Sequence, residues 1–312
     1  MNRDKIETVR YDFQNEEEAR LFVEACEEKF VRQVDACADK ILAHSARFVA
    51  LSGPTCSGKT TASERICHAF AARGIRVKTI SIDDFYLERH VLEERARQSG
   101  RPVDLDSPST IYIEKLADCV ETLRRGGVAN LPRYSFMSGK YEGYTPFCGK
   151  DADIFLFEGI QAIYPNVRAI FSEEALFSVF IRPSSSLSVG GELFESHELR
   201  FARRLVRDYR YRNAPPEYTF SLWEGVRENE RRHIEPFEGA ADIAIDSTLA
   251  YEPAVIRSLF VSYLSLVPKD NPYRPKAEAL IAEYEPLPSL PSRLIPADSI
   301  FREFIGHEGE ED

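Results

Sequence analysis

The stretch with the clearest chemical meaning is the loop that follows the apolar run Phe48-Val49-Ala50. It reads GPTCSGKT and matches the pattern G-x-x-x-x-G-K-[ST] at every fixed position. Glycines let such a loop curl until successive backbone N–H groups point inward at phosphate oxygens. We expect Lys59 to reach the β- and γ-phosphates and the Thr60 hydroxyl to ligate Mg²⁺. The pattern therefore predicts a nucleoside triphosphate site with these contact residues: Gly53, Thr55, Cys56, Ser57, Gly58, Lys59, Thr60 and Thr61.

Acidic residues end two other apolar runs, "TISIDDFY" and "IFLFEGI". Open α/β sheets bind ligands at the carboxyl ends of their strands, so these acids are candidates for the site. Side chains alternate along an extended segment, so only one of Asp83 and Asp84 can face the loop. A carboxylate there could orient an attacking hydroxyl, and Glu158 could hold Mg²⁺. Helix capping or a solvated strand end is the alternative for each.

The segment "ELRFARRLVRDYRYRNA" is strongly basic inside an acidic protein. It carries six arginines against one aspartate: Arg200, Arg203, Arg204, Arg207, Arg210 and Arg212. Helical spacing places the first four on one side of a helix. We interpret residues 198–215 as a mobile lid whose arginines screen the charge of a phosphoryl transition state. A solvated charged face is the alternative.

Alternating strands and helices must position these groups. Strand-like runs occur at Phe48–Leu51, Lys78–Ile82, Ile154–Phe157, Phe177–Ile181 and Ile243–Ile245. Helical patterns at Lys59–Arg73 and Thr110–Arg125 separate them. This alternation predicts an α/β fold with a parallel sheet that helices cover on both faces. We expect an N-terminal helical extension over 1–46, a central domain over 47–266, and a C-terminal extension with an acidic tail over 267–312.

Bulk properties exclude several classes of protein. The chain has 312 residues and a net charge of −11, which argues against a nucleic-acid binder. It has no apolar run long enough for a membrane span and no signal-peptide pattern, so we expect a cytoplasmic protein. The six cysteines are scattered without metal-ligand spacing, and free thiols are expected.

Several stretches, taken in order, resemble the uridine kinase and phosphoribulokinase group of P-loop kinases, especially bacterial uridine-kinase-like nucleoside kinases. They are "GPTCSGKTT", "VKTISIDDFY", "LDSPSTIYIEKL", "LPRYSFMSGK", "DIFLFEGI", "RFARRLVRDYRYR", "HIEPFEGAADIAIDSTLAYE" and "IPADSIFREFIG". The resemblance covers roughly Arg47 to Ile305. It implies a P-loop NTPase fold, ATP as the phosphate donor and Mg²⁺ as the metal.

The resemblance also implies roles on the acceptor side. Asp83 corresponds to the catalytic base for the ribose 5′-hydroxyl, and Asp106 to the acid that binds ribose hydroxyls. Tyr134 and Phe136 correspond to aromatic residues that pack against the base, although core packing is the alternative for this pair. Tyr86 and Arg204 belong to the same substrate site, with Arg204 contacting the nucleoside.

On the donor side, the resemblance implies that Glu158 and Thr60 hold Mg²⁺. Arg207 and Arg212 meet the triphosphate, and Lys59 and Arg207 stabilise the transferring group. Two positions depart from the family pattern. Gly139 stands where a histidine reads the pyrimidine edge, and Ala214 stands where the lid has a further arginine. The first departure leaves the base preference open.

The expected function is ATP-dependent transfer of a γ-phosphate to the 5′-hydroxyl of a ribonucleoside, with uridine as the first candidate. Two alternatives remain: a P-loop kinase for another small alcohol or sugar phosphate, and an ATP-binding regulatory protein. Relatives suggest a homo-oligomer as one possible assembly. The sequence does not determine the acceptor, the oligomeric state, a feedback inhibitor or the role of residues 1–46.

Overall fold

The computed structural model describes residues 5–100, 107–171 and 176–307. Its strands are β1 (Lys5–Val9), β2 (Phe48–Ser52), β3 (Val77–Ser81), β4 (Val128–Ser135), β5 (Lys140–Cys148), β6 (Ile154–Glu158), β7 (Leu176–Arg182), β8 (Ser185–Val189), β9 (Glu192–Phe194) and β10 (Ile243–Asp246). Its helices are α1 (Glu16–Ala43), α2 (Lys59–Ala71), α3 (Arg89–Ser99), α4 (Ile113–Arg124), α5 (Pro165–Arg168), α6 (Ser196–Arg212), α7 (Pro216–His233), α8 (Glu252–Ser265), α9 (Arg274–Tyr284) and α10 (Arg302–Ile305).

A five-stranded parallel sheet forms the centre, in the order β10-β7-β2-β6-β3. Alternate residues of β2 belong to two different cores. Val49 and Leu51 pack on the side of α1, α2, α6 and α8, whereas Phe48 and Ala50 pack on the side of α4 and α5. Because both faces are covered, the inner strands β7, β2 and β6 are buried at almost every position, whereas the edge strands β3 and β10 carry exposed residues. The predicted α/β fold is confirmed, and each of its five strands lies within one residue of the predicted ends.

The N-terminal segment contains a strand that the sequence pattern did not indicate. β1 pairs in parallel with β8, and β8 pairs antiparallel with β9, so a small second sheet stands beside the main one. The helical patterns beyond it form the single helix α1, which Asn15 caps by accepting the Glu18 N–H at 2.9 Å. Gln33 of α1 bonds both backbone groups of Asp246, which covers the edge of β10.

Two further segments border the region of the phosphate-binding loop. The antiparallel hairpin of β4 and β5 follows α4. At the other end, Pro296–His307, which we call the C-terminal strap, folds back onto α2 and α6. Ile300, Phe301 and Phe304 of the strap are completely buried in the core that α1 and α2 share. None of the described helices is both long and apolar enough to cross a membrane.

Candidate active site

The loop between β2 and α2 has the backbone of a phosphate cradle. Cys56 and Gly58 both lie in the left-handed region, with φ of 57° and 85°, so successive N–H groups can converge. Gly53 allows a close approach, because a Cβ there would overlap the carbonyl oxygen of Ile181. None of the described side chains caps the N-terminus of α2. Its first N–H groups are therefore open to an anion.

Lys59 is the cation of this cradle. Its Nζ donates to the carbonyl oxygens of Gly53 and Pro54, each at 2.9 Å, so the ammonium folds back over its own loop. Burial lowers the pKa of Lys59 below its ordinary value, and the nearby carboxylates of Glu158 and Asp83 oppose that shift. The ammonium is partly buried, and it is the positive charge that the loop can offer to phosphate oxygens.

Strand register brings the acidic candidates to the same edge of the sheet. Leu51, Glu158 and Ser81 are direct neighbours across β2, β6 and β3. Glu158 therefore lies beside the start of the loop, and Ser81 precedes Asp83 by two residues. Burial raises the pKa of Glu158 above its ordinary value, and Lys59 partly offsets that shift. The structure thus brings Lys59, Glu158 and Asp83 into one electrostatic group.

Asp83 and Asp84 separate in the predicted manner, for a different local reason. Residues Ile82–Phe85 form a 3₁₀ turn instead of continuing the extended strand. Asp84 points to the hairpin, where it accepts the backbone N–H of Tyr134 at 3.0 Å. Asp83 is exposed and interacts electrostatically with Lys59 and Glu158. Asp84 therefore holds the hairpin, whereas Asp83 interacts with Lys59 of the phosphate-binding loop.

The cradle fits a triphosphate, since it combines open N–H groups with the partly buried ammonium of Lys59. A metal would need ligands from that triphosphate. Among the described residues, no group of three or more His, Cys, Asp or Glu side chains could hold a metal ion. Mg²⁺ usually takes one or two protein groups together with phosphate oxygens and water. Thr60 and Glu158 match that donor set.

An aromatic cluster lies next to Asp84. The ring centroids of Tyr86, Tyr134 and Phe136 are 5.0 to 5.9 Å apart. Tyr86 is buried, whereas Phe136 is 48% exposed, so one edge of the cluster faces solvent. The Tyr86 hydroxyl accepts from Gln161 at 2.6 Å, which fixes its ring. The three predicted aromatic residues are therefore together, and Phe136 offers an open ring face.

Gly139 sits in the hairpin turn where the family resemblance leads one to expect a histidine. Its φ is 68°, and a Cβ there would lie 2.6 Å from Cβ of Arg89. Arg89 donates to the carbonyl oxygen of Phe136 at 2.5 Å. No larger residue fits without rearrangement. Asp106, the predicted ribose-binding acid, lies outside the described residues.

The three arginines predicted to contact ligands converge on one carboxylate. Asp208 is buried and lies 2.9 Å from Arg207, 3.2 Å from Arg204 and 3.3 Å from Arg212. Three guanidinium groups around one carboxylate leave an excess of positive charge on this side of α6. Arg212 is 58% exposed at its side chain and can reach into solvent. Asp208 thus holds the cluster in place.

Two other arginines of the same helix are struts and not mobile lid residues, which corrects the prediction. Arg200 donates to the Thr55 carbonyl oxygen at 3.2 Å and forms a buried bidentate pair with Glu230. Arg203 donates to the Cys56 carbonyl oxygen at 3.2 Å and pairs with Glu252. Both arginines are buried. Their partner carboxylates come from α7 and α8, which pack beside α6. Sequence spacing alone could not locate those partners.

One acidic residue near the loop was not predicted. Glu303 of the C-terminal strap lies 3.8 Å from Arg207 and contributes to the electrostatic environment of Lys59 and Glu158. Its Oε2 is buried and has no hydrogen-bond partner among the described residues. The only sequence signal was the stretch "IPADSIFREFIG", which carried the family resemblance without any assigned role.

A cavity of about 710 Å³ lies between the start of α6, the end of β7 and the residues that follow α7. Pro54 is its contact with the loop. Its charged walls largely pair with each other, for example Arg182 with Glu238 at 3.1 Å and Arg227 with Glu235 at 3.3 Å. The predicted acceptor residues that the structure describes do not line it.

Comparison with known proteins agrees with this geometry. The model of the Phosphoribulokinase / Uridine kinase family matches residues 48–251. The uridine kinase of Schizosaccharomyces pombe is 30% identical over 169 residues, which cover 53% of this chain and 32% of that protein. The uridine kinase of Deinococcus deserti is 24% identical over 208 residues, which cover 66% of this chain and 90% of that protein.

The chain spans about a third of the length of the first relatives, including the Saccharomyces cerevisiae uridine kinase, of which 36% is covered at 27% identity. The match to the family model covers more than half of the chain, from β2 to the residue before α8. It therefore includes the cradle, the acidic group, the hairpin and the arginine helix. The chain belongs to the Phosphoribulokinase / Uridine kinase family.

Proposed function

We propose that this protein is an ATP-dependent kinase that transfers the γ-phosphate to the 5′-hydroxyl of a ribonucleoside, with uridine as the first candidate. The observation that carries the proposal is the grouping of Lys59, Glu158 and Asp83 at the carboxyl ends of β2, β6 and β3. A cation, a metal-competent acid and an exposed carboxylate are the parts that phosphoryl transfer needs in one place.

The residues divide the work by charge. Backbone N–H groups of the loop and the ammonium of Lys59 hold the phosphates, while Arg207 and Arg212 screen the transferring group. Asp83 orients the acceptor hydroxyl and takes its proton late, because the transition state of phosphoryl transfer is loose. Thr60 and Glu158 would hold Mg²⁺ together with the phosphates, and the ion would supply charge neutralisation there.

The aromatic cluster supports a flat acceptor. Phe136 and Tyr134 offer aromatic rings to a heterocycle. The contact of Gly139 with Arg89 favours a second candidate, a kinase for another small alcohol or a sugar phosphate. A guanidinium near the cluster suits an anionic acceptor as well as a nucleoside. Assembly as a homo-oligomer and a cytoplasmic location stay predictions.

An acceptor panel separates these functions. ADP release would be measured with ATP, Mg²⁺ and one acceptor at a time: uridine, cytidine, adenosine, ribulose 5-phosphate or pantothenate. We expect turnover with uridine or cytidine and loss of that turnover in Lys59→Met. Turnover with only a non-nucleoside acceptor would favour the second candidate, a kinase for another small alcohol or a sugar phosphate. ATP binding without turnover on any acceptor would favour a regulatory protein.

A further inference from the structure

Four residues form a cation site lined by tyrosine rings where α4 meets the β4–β5 hairpin. The Nζ atom of Lys115, on α4, lies 3.8 Å from the ring centroid of Tyr141 and 4.9 Å from that of Tyr144, both on β5. The ring centroid of Tyr112, the residue before α4, is 5.3 Å from the same atom. All three distances fall within the roughly 6 Å over which a ring attracts a cation. We call these four residues the tyrosine cage.

Aromatic rings and a hydroxyl are the contacts that the structure describes for the ammonium of Lys115. It donates to the Tyr144 hydroxyl oxygen at 2.8 Å, and no carboxylate of the described residues forms an ion pair with it. The rings of Tyr141 and Tyr144 stack with their centroids 5.9 Å apart, so together they form one wall of the cage. Lys115 is half-buried, which reduces screening by water. The ammonium therefore ties β5 to α4.

Tyr141 joins the cage to the aromatic cluster of Tyr86, Tyr134 and Phe136. Its ring meets that of Tyr134 edge-on, with the centroids 5.7 Å apart. Its hydroxyl donates to the backbone carbonyl oxygen of Tyr86 at 2.6 Å. A displacement of Tyr141 would therefore reach two of the three residues in the cluster. Lys115 is consequently one residue away from the rings that the acceptor is expected to meet.

Other contacts hold the hairpin at β4 and at its turn. Asp84 accepts from the backbone N–H of Tyr134 at 3.0 Å, and Arg89 donates to the carbonyl oxygen of Phe136 at 2.5 Å. The cage adds a contact from α4 to the opposite strand, where Tyr141 is the direct register partner of Tyr134. It therefore fixes the strand that pairs with Tyr134, and with it the direction of the aromatic rings.

We propose that Lys115 is a positioning residue for the acceptor: its ammonium keeps the hairpin in the orientation that lets Tyr134 and Phe136 pack against the acceptor. The inference rests on the proposed function, because it takes the aromatic cluster as part of the acceptor site. Lys115 acts through Tyr141 and contributes no group to phosphoryl transfer. Loss of its charge should therefore weaken acceptor binding and leave the donor side unaffected.

The test separates acceptor binding from turnover, with uridine as the probe. Lys115→Met keeps the length of the side chain and removes its charge, so the KM for uridine should rise about five- to tenfold, as expected for a partly buried cation–π contact. The kcat and the KM for ATP should stay within about twofold, because Lys59, Glu158 and Asp83 are unchanged. Lys115→Arg should stay within about twofold for all three constants, since a guanidinium keeps the charge and stacks on tyrosine rings.

Lys78→Met is the matched control, because it removes another lysine–aromatic contact from the same hairpin. The Nζ atom of Lys78 lies 5.1 Å from the ring centroid of Phe147, near the end of β5. Roughly 20 Å of extended strand separates Phe147 from Tyr141. Lys78→Met should therefore leave the KM for uridine unchanged.

Amide hydrogen exchange of the full chain tests the cage without any ligand. Lys115→Met should speed exchange at the backbone N–H groups of residues 134–144 about fivefold, because opening the hairpin then costs less free energy. Exchange in β2 and β6 should not change, and Lys115→Arg should match the unmodified protein. Thermal unfolding of each variant establishes that it is folded.

Three results would overturn the proposal. An unchanged KM for uridine in Lys115→Met would separate the cage from the acceptor site. An equal rise in Lys78→Met would show that any loosening of the hairpin has the same effect. Faster exchange throughout the chain in Lys115→Met would make the cage a contributor to overall stability.

Failure of the proposed function has a different signature, since the unmodified protein would then not turn over uridine. In that case hairpin exchange decides the role of the cage. Faster exchange confined to the hairpin in Lys115→Met would support the positioning role, and unchanged exchange would overturn it.

Discussion

At the residue scale, the site depends on how charge is balanced around Lys59. Partial removal from water favours the neutral amine, and the pKa of Lys59 is lowered for that reason. Glu158 and Asp83 keep the charged form accessible, since each carboxylate favours it. The two acids nevertheless differ. Glu158 is half-buried at the end of a strand, whereas Asp83 is exposed on a turn.

This difference predicts separate roles for the two acids. Asp83→Asn keeps the size of the side chain and removes the proton acceptor, so we expect kcat to fall about a hundredfold or more, within the usual range for a general base. ATP affinity should change much less, because the loop is untouched and Glu158 still favours the charged form of Lys59. Steady-state kinetics and ATP titration measure the two quantities. Asp84→Asn, which alters the neighbouring acid that bonds the hairpin, is the control and should lower kcat less. Parallel losses of kcat and ATP affinity in Asp83→Asn would contradict the assignment.

Glu158 predicts a pH dependence of metal-nucleotide binding. Burial raises its pKa above the ordinary value of 4.5, so the carboxylate is protonated at a higher pH than a solvent-exposed glutamate. A protonated carboxyl is a poor Mg²⁺ ligand, and affinity for Mg²⁺-ATP should therefore fall as the pH drops through this raised pKa. Titration at several pH values measures the effect, and Glu158→Gln should flatten the profile. An unchanged slope in that variant would exclude Glu158 as the group responsible.

At the element scale, α6 supports the cradle with the same residues that looked like a lid. Arg200 and Arg203 each link a loop carbonyl oxygen to a carboxylate from a following helix. The guanidinium is suited to this because its planar fork can bond two partners at once. α6, α7 and α8 therefore set the shape of the loop before any nucleotide arrives. Three other arginines, Arg204, Arg207 and Arg212, surround Asp208 instead, and of these Arg212 has the most exposed side chain.

Arg203 predicts a stability effect that separates a strut from a lid. Arg203→Met leaves Glu252 buried without its partner, which should cost about 3–5 kcal/mol of unfolding free energy. Glu252→Leu in the same chain should recover much of that loss, because no unpaired charge remains. Urea unfolding measures both variants. Arg232→Met, in an exposed pair with Glu228, should cost less than about 1 kcal/mol, and an equally small effect at Arg203 would contradict the strut.

At the scale of the whole molecule, the extensions are built into the core. Glu27 of α1 bonds Ser299 of the strap, and Gln33 of α1 bonds the end of β10. The second sheet joins the N-terminal strand β1 to β8, which directly follows the central strand β7. A part of the chain outside the family match thereby determines how β10 and the loop after it are held. We therefore expect removal of either end to lower the stability of the central domain.

Asp246 predicts how the folded molecule responds to acid. Burial alone would raise its pKa, but hydrogen bonds from Ser185, Ser184 and Thr248 lower it below the ordinary value of 3.8. A lowered pKa in the folded state means that the stabilisation is complete above pH 3.8 and is lost as the pH falls toward the folded value. Urea unfolding between pH 7 and pH 3 should show this decline. Asp246→Asn should be less stable at neutral pH and decline less; a decline as steep as that of the unmodified protein would place the effect on other acids.

The sequence by itself determined the features that depend on local pattern. Glycine spacing predicted the cradle, because Gly58 can adopt a positive φ and Gly53, which lacks a Cβ, can approach the Ile181 carbonyl oxygen. Runs of apolar residues predicted the five strands of the main sheet to within one residue, and the signal is strongest in β2, β6 and β7, which are buried at almost every position. The separation of Asp83 from Asp84 also followed from position, although a 3₁₀ turn and not an extended strand produces it.

Tertiary structure decided which distant groups meet. The partners of Arg200 and Arg203 lie 30 and 49 residues along the chain, so their charges looked unpaired in the sequence. The residues of β1 give little indication of a strand, because that strand forms by pairing with β8. Glu303 comes close to Arg207 only because the strap folds back onto the domain. Long-range contacts of this kind depend on how the chain packs, and local residue patterns do not contain that information.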